Sequence, residues 1–165
     1  MATAAKNTKS ENVDTGIEPK NRKEVAKALQ HALADTYSLY LKTLGVHWNI
    51  VGPSFYSVHK LTEEQYEDLH ASADEIAERI RALGHIAPAS FGDYSKLSVI
   101  ESTETPHQAD AMLKSLISDN EAIAKRMRDF VETAEDADDV FTADLLTARI
   151  GKHEENAWML RALTS

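Results

Sequence analysis

At 165 residues the chain can hold one domain with a real core, and 42% hydrophobic with 27% charged residues is ordinary for a globular protein. No apolar run approaches about 18 residues and the opening MATAAKNTKSENVDTG lacks an apolar signal core, so a cytoplasmic protein without membrane contact is expected. The absence of cysteine excludes disulfides, iron–sulfur clusters and thiolate zinc sites. The net charge of −9 is uneven. Residues 1–23 carry Lys6, Lys9, Lys20, Arg22 and Lys23 against Glu11, Asp14 and Glu18, a net of about +2, which leaves about −11 on the rest. An acidic body repels nucleic acid and attracts cations. Affinity for DNA could come only from those five basic residues.

Residues 1–20 read as a mobile tail and 21–165 as one helical domain. Asn21 is a plausible N-cap, with Glu24 three residues on. Val25, Leu29, Leu33, Thr36, Tyr40, Leu44 and His47 then step by three or four along one helix face. Gly52 and Pro53 break the chain. A second helix from about Ser54 or Ser57 to Leu83 carries the stripe Tyr66, Leu69, Ala73, Ile76, Ile80 and Leu83, and Gly84 stops it. Residues 85–104 are too long for a bare loop, so a short helix is expected near Tyr94–Val99. Thr105 would cap a third long helix starting at Pro106, with Met112, Leu113, Leu116, Ile123 and Met127 on its apolar side. A fourth from about Asp139 or Thr142 to Leu163 carries Leu145, Leu146, Ile150, Trp158, Met159 and Leu163. No strand pattern and no repeat appear.

The chemistry concentrates between His47 and Glu78. His59 and Glu63 are four residues apart, as are Asp74 and Glu78, so each pair shares a helix face. At 100° per residue from His59, the other three fall at roughly 40°, 60° and 100°, one stripe. His59 and Asp74 are nonetheless separated by about 22 Å of helix axis, too far for one metal. The midpoint of His59 and Glu78 falls between Asp68 and Leu69, and so does that of Glu63 and Asp74. If two copies of the helix cross antiparallel about a two-fold axis there, His59 and Glu63 of one face Asp74 and Glu78 of the other. The expectation is two symmetric inter-subunit sites of imidazole and carboxylate, a donor set suited to iron, zinc or manganese. Glu64, Glu67, Asp68 and Glu75 read as surface or interface residues. His31, His70, His85, His107 and His153 read as ordinary core or capping histidines, and Trp48 and Trp158 as packing residues first.

His47, Trp48, Asn49, Gly52, Phe55 and His59 form an HWN-x-x-G-x-x-F-x-x-x-H segment, followed at a fixed distance by Asp74-x-x-x-Glu78. This closely resembles the Dps family, the mini-ferritins named DNA-binding proteins from starved cells. ENAWMLRAL near the C-terminus is similar to the family's last helix, and the likeness covers about residues 20–165. Many members have Asp four residues after the second histidine. Here it is Glu63, one methylene longer, which still reaches but alters metal distance.

The resemblance implies an all-α, ferritin-like four-helix bundle with a short extra helix between helices 2 and 3. This matches the element order above. It implies a ferroxidase that binds Fe(II) through His47, His59, Glu63, Asp74 and Glu78. There would be two sites per two-fold interface, each a candidate di-iron site, with zinc or manganese as substitutes. Hydrogen peroxide is the oxidant the likeness favours, and ferric oxide would be stored in a hollow dodecamer, protecting against oxidative damage. Trp48 would sit near the metal and intercept radicals. Asp144 and Asp139 match acids lining the family's three-fold pores. The alternative is a nucleoid-associated, DNA-compacting protein that binds weakly through the tail's Lys6, Lys9, Lys20, Arg22 and Lys23. A bundle with structural zinc and no turnover is a third reading.

Overall fold

The computed structural model describes residues 13–101, 103–104 and 106–164. Five helices occupy them: α1 Pro19–Asn49, α2 Phe55–Ala82, α3 Phe91–Leu97, α4 Ala109–Asp136 and α5 Val140–Ala162. There is no strand among the described residues. The architecture is the expected all-α four-helix bundle with a short extra helix in the connection between its second and third long helices.

The directions of the helices follow from their bridges. The short 50–54 turn makes α1 and α2 antiparallel, and the 137–139 turn does the same for α4 and α5. Arg126 on α4 reaches His31 and Asp35 on α1, whereas Asp119 pairs with Lys42. Rising along one helix means falling along the other, so α1 and α4 are antiparallel. Arg79 on α2 bonds Thr142 on α5, and Asp68 bonds Arg149, so α2 and α5 are antiparallel too. The core runs between the four long helices, with Leu29, Leu39, Leu69, Ile76, Ile80, Leu116, Ile123, Met127, Leu146 and Leu160 fully buried.

Several ends differ from the sequence reading. α1 begins at Pro19 after Glu18, so Asn21 is inside the helix; proline's fixed φ and missing N–H suit the first turn. Lys20, Arg22 and Lys23 therefore stand on that first turn and not in a tail. α3 spans Phe91–Leu97, capped by the Ser90 hydroxyl accepting from the Asp93 N–H. α4 starts at Ala109, three residues after Pro106, with Gln108 as its cap residue; Thr105 lies outside the described residues, as do Lys6 and Lys9. Gly84 does stop α2. Its φ of 83° is open to glycine without strain, and it lets His85 N–H reach the Ile80 carbonyl at 3.1 Å.

The crossover is clamped from inside. The Asp35 carboxylate is fully buried, accepts the Val99 N–H at 2.6 Å and is bonded by Arg126, which also bonds the Leu97 carbonyl. His31 joins this clamp, its Nδ1 2.9 Å from the Leu97 carbonyl and 2.8 Å from an Arg126 guanidinium nitrogen. Burial pushes the Asp35 carboxyl above its ordinary range, against these bonds, which pull it down.

A candidate metal centre split across one chain

The 50–54 turn positions the two histidines. Gly52 has φ 98°, a backbone that side chains rarely tolerate, and Phe55 N–H closes the turn onto its carbonyl at 3.0 Å. This folds the second turn of α2 back against the last turn of α1. The His47 and His59 rings stack with centroids 3.8 Å apart and planes 17° apart. Each ring is oriented by the other residue's backbone. His47 Nδ1–H donates to the His59 carbonyl at 2.9 Å, and His59 Nδ1–H donates to the His47 carbonyl at 3.0 Å. A carbonyl can only accept, so Nδ1 carries the proton on both rings. Each Nε2 is left as a lone pair that no described group bonds. This is how a metal-binding imidazole is prepared: the second nitrogen fixes the tautomer and the ring's aim. Tyr66 meets His47 edge-on at 5.1 Å, and Phe55 stacks on His59 at 5.0 Å.

Glu63 lies one turn along α2 from His59. Its hydrogen bond from Lys60, 2.6 Å long, and the charge of that lysine hold its carboxyl below the ordinary range. An exposed pair of this kind is weak, so the carboxylate can turn toward a cation beside the rings.

Asp74 and Glu78 are elsewhere. Both are exposed on α2. Asp74 opens onto a hollow lined by Tyr37, His70 and Tyr94, and Glu78 onto one lined by Arg79 and Phe141. No group of three or more His, Asp or Glu side chains able to hold one metal forms among the described residues. One chain thus brings His47 and His59 together, with Glu63 one turn along α2 and paired with Lys60, and carries Asp74 and Glu78 farther along the same helix. Trp48 is 65% exposed beside His47, and Trp158 is equally exposed, so neither is a packing residue within the chain.

Asp139 does not present a free carboxylate. It is 2% exposed, caps α5 by accepting the Thr142 N–H and hydroxyl, and is bonded by Arg79 at 2.7 Å. Burial would raise its carboxyl, but those bonds outweigh it and hold it below the ordinary range. Its expected place in a pore therefore gives way to capping. Asp144, one turn on, is exposed. Replacing the cap and stranding Arg79 should be costly: Asp139→Ala should lose about 2–4 kcal/mol, between a lost cap and a broken buried ion pair. Denaturant titration of wild type and variant measures it. The pair's contribution should be intact above pH about 4, and lost as pH falls through the depressed folded value.

Asp68 departs from its surface reading, whereas His153 is the core histidine expected, each with a partner far off in the chain. Asp68 is no loose surface acid: both oxygens bond Arg149, at 3.1 and 2.6 Å. His153 is fully buried, with Nδ1 2.9 Å from the Asn120 side-chain oxygen.

The fold defines a ferritin-like protein, and the ferritin-like domain family matches residues 26–165. Within that class the chain belongs to the Dps family. It is 34% identical over 140 residues to DNA protection during starvation protein 2 of Bacillus anthracis, covering 85% of this chain and 96% of that one. It is 39% identical over 152 residues to an uncharacterized low temperature-induced protein of Nostoc, covering 91% and 85%. The solved Dps structure from Vibrio cholerae, described as a member of a superfamily of ferritin-like diiron-carboxylate proteins, superposes with a TM-score of 0.87 at 29% identity. That match spans 96% of this chain and all of the other.

Proposed function

We propose that this chain is an iron-oxidising and iron-storing mini-ferritin whose ferroxidase site is completed by a second copy of itself. The observation that carries this is the pair of stacked imidazoles with both Nε2 atoms free, set at an exposed apolar rim. Trp48, Val51 and Tyr56 are 65%, 69% and 72% exposed around it. A second α2, crossing about Asp68–Leu69, would cover the rim and bring Asp74 and Glu78 to His47, His59 and Glu63.

Iron is the substrate there. Carboxylates favour Fe(III) over Fe(II), and imidazoles retain affinity for Fe(II). With peroxide, two Fe(II) each give one electron, and one H2O2 takes both with two protons to leave two waters. No hydroxyl radical is released. Trp48, next to His47, would quench strays. The product would collect inside a closed dodecamer. Anaerobic Fe(II) loading followed by peroxide tests this. Ferric absorbance should rise at about half an equivalent of peroxide per iron, on particles of twelve subunits. Metal binding that stabilises the protein without any oxidation would support a structural-metal bundle instead.

Asp144 is the pore residue of this reading. Three copies around a three-fold axis would focus cations. Asp144→Asn should slow iron uptake several-fold at low ionic strength and leave the oxidation site intact. Added salt should narrow the gap, since the Debye length shrinks to about 10 Å at 0.1 M. Equal uptake rates at low salt would remove Asp144 from the pathway.

DNA binding is secondary. The first turn of α1 exposes Lys20 and Lys23, but Arg22 is tied to the Ile17 carbonyl at 2.9 Å. Weak binding at low salt, fading near physiological salt, is expected. Gel shifts with residues 1–20 deleted should show no binding and unchanged iron oxidation; retention of tight binding would require a basic surface elsewhere.

A further inference from the structure

The centre of the bundle holds polar groups that the iron site does not use. Arg149, His153 and Asn156 lie four and three residues apart on the buried face of α5, and are 7%, 0% and 1% exposed. Gln65 on α2 is 3% exposed. Five polar atoms of these four residues have no partner: Gln65 Nε2, Arg149 Nε, His153 Nε2, and both Asn156 amide atoms.

Their register puts them in one seam. Asp68 pairs with Arg149 across antiparallel helices. One turn toward the N-terminus of α2 is Gln65, and one turn toward the C-terminus of α5 is His153. One turn further stand Thr62 and Asn156. The seam thus runs toward the histidine pair: the Thr62 hydroxyl donates to the Val58 carbonyl at 2.7 Å and lies 3.3 Å from His47 Nδ1.

The protonation of His153 is fixed by its neighbour. Asn120 Nδ2 donates to the Leu116 carbonyl at 2.8 Å, so its oxygen faces His153 and accepts from Nδ1–H. The His153 Nε2 is then a bare lone pair in the core. Gln65, Arg149 and Asn156 offer N–H groups; Asn156 also offers an oxygen.

We infer that this seam is a built hydration site, in which buried water bridges His153 Nε2, Gln65 and the Asn156 amide along the α2–α5 interface. Leaving a buried donor or acceptor unmade costs roughly 1–3 kcal/mol each, and five of them would consume much of a domain's stability. The ligand must both donate and accept, because the free atoms are of both kinds. Water does so, with three partners on average in protein interiors. A cation does not fit. The seam's one carboxylate, Asp68, is spent on Arg149, and that permanently charged guanidinium repels it. An anion finds Arg149 already neutralised. A second chain cannot supply the partners, since these groups are sealed within a single chain.

A crystal structure of the assembled wild-type protein at about 1.5 Å tests the site. Expected are solvent peaks within about 3 Å of His153 Nε2 and of the Asn156 amide. A dry seam, with the four side chains bonded directly to one another, would overturn the inference. The same structure of Asn156→Leu should lose the peak at position 156 and keep the one at His153. Unmoved peaks there would show that the amide is no ligand of the water.

Discussion

Particles assembled from two inactive variants should oxidise iron. One variant, His47→Ala with His59→Ala, lacks the imidazole half. The other, Asp74→Ala with Glu78→Ala, lacks the carboxylate half. Each alone should lose more than the roughly 10–100-fold that second-shell changes cost metal sites, because two direct ligands are gone. In a mixed two-fold pair, one site combines both broken halves. The other combines both intact halves. Random co-assembly at equal amounts makes half of all interfaces mixed, so about a quarter of all sites should be whole. Co-expressed mixtures should therefore recover about a quarter of wild-type oxidation, measured as ferric absorbance after peroxide. A site contained in one chain predicts no recovery at any ratio. Mixed particles confirmed by mass that stay inactive would end the inter-subunit reading.

Much of this was legible in the sequence because the chain is locally consistent. On α2 the apolar residues sit at helical spacing, and Leu69, Ala73, Ile76, Ile80 and Leu83 are all buried as the pattern requires. The histidines were legible because a loop with fixed length and a glycine at a positive φ leaves little freedom in how α1 meets α2. Helix α5 was legible only in part. The sequence points to Leu145, Leu146, Ile150, Trp158, Met159 and Leu163 as its apolar side; Leu146 is fully buried and Leu145, Ile150 and Leu163 pack half-buried against the core, but Met159 is only half-buried and Trp158 is exposed. The buried face is Thr142, Leu146, Arg149, His153, Asn156, Ala157 and Leu160. Polar residues take four of those seven places, so hydrophobic periodicity cannot reveal it. What keeps that face inside is satisfaction of its polar groups: Asp139 for Thr142, Asp68 for Arg149, Asn120 for His153. None of these partners is near in sequence except Asp139, which is also the one acid whose role as a cap displaced its expected role in a pore. The ends of α1 and α4 were missed for a simpler reason. Their cap residues, Glu18 and Gln108, make no side-chain cap bond that would mark the start.

Acid should weaken the fold through His153, and removing that imidazole should remove part of the sensitivity. Burial, together with the Arg149 charge, pushes His153 down to about 3, with Asp68 opposing. The unfolded chain titrates this residue near 6.5. Between those values the unfolded state binds a proton that the folded state refuses, so unfolding gains as pH falls. The stability is whole above about 6.5 and erodes down to about 3. Each pH unit within that window costs about 1.4 kcal/mol per chain, about 2 kcal/mol by pH 5. Asp139 adds its own loss only below about pH 4, so the comparison at pH 5 is free of it. His153→Gln keeps a polar group in the seam but cannot take up the proton. It should be less stable than wild type at pH 7.5, because it disturbs the bond to Asn120, and the gap should shrink by about 2 kcal/mol per chain at pH 5. Iron-free urea unfolding at one fixed protein concentration, across that pH range, reads the difference, and the histidines at 47 and 59 cancel because both proteins carry them. Parallel pH curves for the two proteins would mean that His153 accepts its proton within the folded bundle, and that the core is far wetter than its burial implies.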